Sequence, residues 1–104
     1  VARQAVRWST AGGFTPLGDL PGGPFVSEAF GVSDNGAVVV GYGTNEFGTE
    51  QAFRWTAAGG MVPLPIPPIS RAHAVSADGS LAVGYEDLPP FDAKWMVERL
   101  FTEA

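Results

Sequence analysis

The side chain best suited to proton transfer is His73, the only histidine of this 104-residue chain. Histidine gains and loses a proton near neutral pH, so His73 is a candidate base or metal ligand. The chain has no cysteine and no second histidine to complete a metal site of the usual composition. An internal repeat, described below, places Phe30 at the equivalent position, which favours an aromatic slot in a core or channel. We predict no metal site and keep His73 as a candidate ligand-binding residue.

A serine nucleophile is not predicted. Residues 31–35 (GVSDN) come close to the Gly-x-Ser-x-Gly pattern of serine hydrolases. That pattern requires a strand that enters a helix, whereas Ser33 is followed by hairpin-turn residues, and the equivalent Ser76 lacks the pattern. Both serines are expected to bond backbone groups of their turns. We therefore predict no catalytic residue and no cofactor.

Carboxylates gather in two loops, at residues 43–50 and 86–91. The acidic residues there and just beyond are Glu46, Glu50, Glu86, Asp87 and Asp92. They lack the close, alternating spacing of a calcium-binding loop, so solvated loops are the expectation. A paired-carboxylate glycosidase stays open, because the separation of carboxylates cannot be read from sequence. Glu46 is kept as a candidate ligand-binding residue.

Aromatic residues outside the repeated positions are the better candidates for stacking against a ligand. They are Phe25, Phe47 and Phe91, all in segments predicted to be loops. Loops on a rigid scaffold commonly carry binding residues, whereas aromatic residues at equivalent repeat positions usually pack between units. The alternative is that these three side chains cover the rims of the sheets.

The elements that position these residues come from an internal repeat. Residues 4–17 return as 51–64 at an offset of 47, and residues 28–42 return as 71–85 at an offset of 43. The difference arises in one loop, which is ten residues long at 18–27 and six at 65–70. Residues assigned a structural role in the repeat are Arg7, Trp8, Gly36, Tyr42, Arg54, Trp55, Gly79 and Tyr85.

Each repeat unit is predicted to form four short strands. Asn35-Gly36 and Asp78-Gly79 separate apolar runs, which is a strong hairpin signal. A second hairpin follows, and its last strand carries Pro16 or Pro63, which favours an edge position. Alternation along the strands predicts that one sheet face carries large side chains and the other carries small ones.

The predicted fold is all-β, with tandem four-stranded antiparallel blades of a β-propeller, and forms an incomplete ring of about two blades. Residues 1–17 supply the outer strands of one blade, residues 28–64 a complete blade, and residues 71–95 the inner strands of the next. Residues 93–103 follow a helical apolar pattern and are predicted to form a short C-terminal helix. The chain would be either a piece of a longer protein or a subunit of a homo-oligomer that closes the ring.

Composition narrows the classes of partner. The net charge is −5, which argues against nucleic acid because phosphate binding needs clustered Lys and Arg. No apolar run approaches the roughly 20 residues of a membrane-spanning helix. The expected partner is therefore a glycan or a protein.

Three linked segments resemble the HAF-repeat family of bacterial extracellular repeat proteins. They are residues 17–23 (LGDLPGG), 29–41 (AFGVSDNGAVVVG) and 51–61 (QAFRWTAAGGM). The signature His-Ala-Phe is replaced by Gln-Ala-Phe at 51–53 and by Gln-Ala-Val at 4–6. Residues 95–104 also resemble a helical piece that interrupts the last repeats of such proteins. The resemblance implies export and a surface location, and it implies no reaction, cofactor or ligand.

Three hypotheses about function follow. The first is an extracellular or cell-surface module that acts as a binding scaffold without catalysis. The second is a lectin-like subunit that closes a propeller by oligomerisation and binds carbohydrate between blades. The third is a fragment of a secreted hydrolase that uses His73 or the loop carboxylates. The fold alone cannot choose among them, because propellers host many functions.

Overall fold

The computed structural model describes residues 2–88, which form eight strands and no helix. The strands are β1 (Val6–Ser9), β2 (Gly13–Pro16), β3 (Ser27–Val32), β4 (Val38–Thr44), β5 (Glu50–Thr56), β6 (Gly60–Pro63), β7 (Ser70–Val75) and β8 (Ala82–Glu86). All pairings between these strands are antiparallel, so the predicted all-β class is confirmed. The helix predicted at 93–103, Phe91, and the end of the 71–95 segment lie outside the described residues.

The strands form three sheets along the chain. β1 and β2 make the N-terminal sheet, β3-β4-β5-β6 make the central sheet in that order, and β7 and β8 make the C-terminal sheet. Pro63 ends β6, an edge strand of the central sheet, where a missing N–H donor costs no ladder bond. None of residues 2–88 belongs to a helix that could cross a membrane.

The β3–β4 and β7–β8 hairpins have the same side-chain hydrogen bond in their turns. Ser33 Oγ accepts a hydrogen bond from Val38 N–H at 3.1 Å, and Ser76 Oγ accepts one from Leu81 N–H at 3.0 Å. Gly36 and Gly79 follow with φ of +74° and +80°, a backbone region that L side chains rarely adopt. Both serines thus serve their turns, as their context in the sequence predicts.

The expected division into a large face and a small face is wrong for the central sheet. β4 and β5 alternate in opposite senses, since Gly41 lies across from Phe53 and Tyr42 lies across from Ala52. Each face therefore combines large side chains from one strand with small ones from its neighbour. Phe53, which pairs across from Gly41, is fully buried, and Gly41 itself lies against the β3 backbone at Glu28, where a Cβ would clash.

Two apolar cores lie on opposite faces of the central sheet. The first joins the residues that directly flank the N-terminal sheet to one face of the central sheet, and it consists of Ala5, Leu17, Leu20, Val39, Phe53, Trp55 and Met61. The second joins the C-terminal sheet to the other face through Val38, Val40, Ala52 and Ala72. The three sheets therefore stack face to face in chain order, with the central sheet in the middle.

Candidate binding site

A row of four aromatic rings crosses the junction between the central and C-terminal sheets. The rings follow the order Tyr42, Phe30, His73 and Tyr85, with successive centroids 5.7, 5.1 and 5.3 Å apart. Phe30 and His73 are exposed, as is Tyr85, whereas Tyr42 is buried. The row presents stacked ring surfaces along the inner strands of two consecutive units.

β-Bulges explain why Phe30 and His73 meet. The pairing of β3 with β4 shifts between Ala29 and Gly31, and the pairing of β7 with β8 shifts between Ala72 and Ala74. Phe30 and His73 are the extra residues at these two shifts. A bulged residue leaves the regular alternation of its strand, which re-aims its side chain. His73 lies between two aromatic rings, consistent with the aromatic slot considered for it.

Two ion pairs frame the aromatic row. Arg71 donates from Nε and Nη2 to Glu50 Oε1 and Oε2, both at 2.7 Å, while its guanidinium lies 4.2 Å from the centre of the Tyr42 ring. The Tyr42 hydroxyl donates to Glu28, which also accepts from Arg3 Nη1 at 2.9 Å. Polar groups therefore hold the buried end of the row in one geometry.

The charges shift the ionisation of this network. Burial raises the pKa of the Tyr42 hydroxyl, and its hydrogen bond to the Glu28 carboxylate raises it further. The same bond, together with Arg3, lowers the pKa of Glu28. The bond to Glu50 raises the pKa of Arg71. Glu28 is therefore ionised and Tyr42 neutral near neutral pH, which keeps the hydroxyl as the donor.

The two ion pairs occupy equivalent positions with opposite polarity. Arg3 and Glu50 are equivalent at the offset of 47, and Glu28 and Arg71 are equivalent at the offset of 43. The first junction therefore pairs Arg with Glu, and the second pairs Glu with Arg. The repeat preserves the complementarity of charge at this place and not the identity of the residue.

At each junction between two consecutive sheets, a buried serine hydroxyl accepts a hydrogen bond from a backbone N–H of the preceding unit. The repeat boundaries given above leave both serines out. Ser27 Oγ accepts from Ala5 N–H at 2.9 Å and donates to Gly18 O at 2.7 Å. Ser70 Oγ accepts from Ala52 N–H, also at 2.9 Å. Both serines are fully buried. Extending the second repeat block by one residue, from 28 and 71 to 27 and 70, would have revealed them.

A cleft of about 620 Å³ lies between β1 and β3, and we name it the β1–β3 cleft. Arg7 lines it, donates from Nη1 to Gly36 O at 2.7 Å, and lies 5.4 Å from the Trp55 ring centre. Arg7 Nε is buried and has no hydrogen-bond partner within residues 2–88. Trp8 and Phe30 also line the cleft. The equivalent Arg54 is exposed instead.

The remaining predicted site residues are dispersed. Glu46 and Phe47 share a smaller cleft of about 270 Å³ with Leu20 and Pro21, formed where two loops pack together. Phe25 is exposed but does not line that cleft, and neither does His73. Loop packing, which has no signature in a single sequence, places Glu46 beside Leu20. The described candidate residues therefore lie in three places: Glu46 and Phe47 in the loop cleft, His73 in the aromatic row, and Phe25 in neither.

The placement of the acidic and histidine side chains shows which of them could bind a metal ion or a ligand. Within residues 2–88, no group of three or more His, Asp or Glu side chains is placed to hold a metal ion. Glu50, which was predicted to lie in a loop, is the first residue of β5, and its carboxylate is occupied by the ion pair with Arg71. Exposed rings beside ordered charges suit recognition of a ligand that offers both a flat apolar face and hydroxyl groups.

Comparison with protein-family models, with curated proteins and with solved structures gives no match to this chain.

Proposed function

We propose that the chain is an extracellular or cell-surface repeat module that acts as a non-catalytic binding scaffold. The observation that carries the proposal is how repeated and variable residues are distributed. Identical residues of the two copies, such as Ala5 and Ala52 or Ser27 and Ser70, are buried at the junctions. Residues that differ, such as Phe30 and His73, are exposed on the inner strands. Stacked repeat units share their contacts with neighbours and form an extended surface, on which positions such as 30 and 73 are free to differ.

The three sheets are proposed to be consecutive blades of an incomplete β-propeller. Support comes from the four-stranded antiparallel order of the central sheet and from face-to-face stacking of successive sheets. In this arrangement β3 and β7 are the innermost strands, so Phe30 and His73 would line the central channel. The resemblance to HAF-repeat proteins supports export to the surface of a bacterial cell.

Carbohydrate is the proposed ligand class, which makes a lectin-like subunit the second candidate. The aromatic row favours it, because sugar rings stack on aromatic faces and their hydroxyls bond to charged groups. Phe30 and His73 offer the exposed rings, and Glu46 with Phe47 offers a second place in the loops.

A glycan array probed with the purified chain tests the proposal. We expect saturable binding that Phe30→Ala or His73→Ala weakens if the row binds, and that Phe47→Ala weakens if the loop cleft binds. Val62→Ala is the matched control, since Val62 is also exposed and lines neither place. Trp55 is unsuited to the test because it belongs to the core. No binding to any glycan would contradict the lectin-like candidate.

Mass spectrometry of the recovered ligand separates a scaffold from a hydrolase. A scaffold releases its ligand unchanged, whereas a hydrolase releases shortened glycan. Cleavage that disappears in Glu46→Gln or His73→Ala, with binding retained, would contradict the scaffold and support the third hypothesis.

A further inference from the structure

The outer two sheets are complementary halves of the central one. The N-terminal sheet is equivalent to β5–β6 by the offset of 47, and the C-terminal sheet is equivalent to β3–β4 by the offset of 43. Within residues 2–88, β1 pairs only with β2 and β8 only with β7. β1 and β8 therefore each have one edge without a strand partner, at the place where β5 and β4 meet in the central sheet.

We propose that β8 of one copy of the chain pairs with β1 of a second copy, completing a composite four-stranded sheet. The register follows from the pairing of β4 with β5. Val39 lies across from Trp55, Val40 from Arg54 and Tyr42 from Ala52. Transferred by the two offsets, Ala82 would lie across from Trp8, Val83 from Arg7 and Tyr85 from Ala5 of the second copy. The inference rests on the blade arrangement proposed above.

The two free edges cannot meet within one chain. The N-terminal sheet packs on one face of the central sheet, and the C-terminal sheet packs on the other. Packed sheets lie roughly 10 Å apart, so about 20 Å and a complete sheet separate the two halves. Within residues 2–88, β8 therefore does not pair with β1 of the same copy.

Several equivalent apolar side chains are buried in the central sheet and exposed in the two outer sheets. Trp55 is 6% exposed, whereas its equivalent Trp8 is 67% exposed. Val40 is 0% exposed, whereas its equivalent Val83 is 56% exposed. Val38 and its equivalent Leu81 differ in the same way, at 6% and 62%. Large apolar side chains that a neighbouring unit covers in the middle of the stack are left open at both ends.

The β1–β3 cleft lies where the second copy would dock. Its lining combines β1 residues with Ala29, Gly31 and Val39, which belong to the inner half of the central sheet. Ala29 and Gly31 are only half-buried there, whereas Val39 belongs to the first apolar core. At the other junction, the inner strands β7 and β8 cover the opposite face through Ala72 and Ala82. The β7–β8 hairpin of a second copy would fill the cleft in the same way.

Charge supports a second copy as the occupant. A composite sheet would contain Arg71 from one copy and Arg3 from the other, whereas the central sheet contains Glu28 and Glu50. Both Arg–Glu pairs lie within one copy, so a row of such copies would keep them and add no further pair of this kind. The transferred register places Asp87 across from Arg3 of the second copy, and opposite charges across strands are favourable.

The proposed contact is head-to-tail, because it joins two different ends of the chain. Such contacts give closed rings when the rotation closes and open fibres when it does not. Each copy would add two sheets, so rings of about two to four copies would contain the roughly four to eight blades of known propellers.

Light scattering after size exclusion tests the contact with two end-specific variants. The wild-type chain is expected as a multiple of the 10.9 kDa protomer. Val83→Lys and Trp8→Lys should each be monomeric, since each would bury a lysine at one end of the contact. An equimolar mixture of the two should form a 1:1 dimer that grows no further, because each partner retains one intact end.

Val62→Lys is the matched control and should assemble as the wild type, because Val62 is exposed on β6 within the complete central sheet. Far-UV circular dichroism checks each fold, and Leu81→Lys or Phe14→Lys replaces a variant that loses its native spectrum. A monomeric wild-type chain, an assembled Val83→Lys variant or a mixture that stays monomeric would overturn the proposal. A wild-type monomer that still binds glycan would overturn the assembly alone and leave the proposed function standing.

Discussion

The buried serines at the two junctions give the sharpest prediction about stability. Replacing Ser27 with alanine removes a hydroxyl that accepts from Ala5 N–H at 2.9 Å and donates to Gly18 O at 2.7 Å. Both backbone groups would lose their partner; Ser27 and Ala5 are buried, whereas Gly18 is half-buried. The change therefore leaves the Ala5 N–H unsatisfied in the interior and the Gly18 carbonyl in a half-buried place, while the packing volume falls by only one oxygen atom.

The size of the effect follows from the number of groups left without a partner. An unsatisfied buried polar group costs about 1–3 kcal/mol. Ser27→Ala should lower the free energy of unfolding by about 2–4 kcal/mol, because it leaves the buried Ala5 N–H without a partner and adds a smaller cost at the half-buried Gly18 carbonyl. Ser70→Ala should cost about 1–3 kcal/mol, because its described bond is the one from Ala52 N–H. Ser9 Oγ also accepts a backbone N–H, from Gly12 at 2.8 Å, but in an exposed turn. Ser9→Ala should therefore change stability by no more than about 0.5 kcal/mol.

Urea unfolding measures the three variants on the Val83→Lys background, so that assembly does not add to stability. With a denaturant slope of about 1 kcal/mol per molar, Ser27→Ala should move the midpoint by about 2 M or more. Equal losses for Ser9→Ala and Ser27→Ala would refute the claim that burial of the hydroxyl, and not the bond itself, sets the cost. A loss for Ser70→Ala larger than that for Ser27→Ala would refute the count of unsatisfied groups.

Two further predictions concern charge. Glu50→Arg should destabilise the chain by about 1 kcal/mol, because the new arginine would face Arg71. Adding Arg71→Glu should recover most of that loss in a thermal or urea titration, because the first junction already has this polarity. A double variant no more stable than Glu50→Arg would contradict this prediction. The pKa of Asp78 is lowered to about 2, chiefly by the backbone N–H of Ser80 and then by the hydroxyls of Ser80 and Ser76. Its stabilising effect should be complete above the unfolded value near 3.8 and lost as the pH falls through about 2. A carboxyl resonance followed by NMR should show this midpoint and should move upward in Ser80→Ala, and an unchanged midpoint in that variant would contradict the assigned cause.

Much of the fold could be predicted because its signals are local. Asn35-Gly36 and Asp78-Gly79 mark hairpins by their own conformational preferences, and strand alternation needs no knowledge of distant residues. The relative alternation of β4 and β5 could not be predicted, since it depends on which residues face each other across the sheet. That register is what places Phe53 across from Gly41.

The candidate site was harder to predict for a different reason. His73 and Phe30 were paired as equivalent residues, but the two bulges that bring their rings within 5.1 Å leave no mark on composition. Trp8 and Trp55 are identical in sequence and opposite in exposure, because only Trp55 has a neighbouring unit over it. The exposure of a side chain in a repeat protein depends on whether a neighbouring unit covers it, and the type of the residue does not show this.

The opposite polarity of the two ion pairs restricts which units can stack on each other with complementary charges. If both junctions carried Arg on the same side, any unit could stack on any other with equal charge complementarity. Here the central unit contributes Glu28 to one junction and Glu50 to the other, so stacking a central unit directly on another would place these two carboxylates together. Like charges at such a distance oppose association, whereas a composite unit with Arg3 and Arg71 would satisfy both sides. A unit that flanks the central one therefore has to offer Arg at the facing position if the Arg–Glu pair is to be kept, as both flanking units of residues 2–88 do.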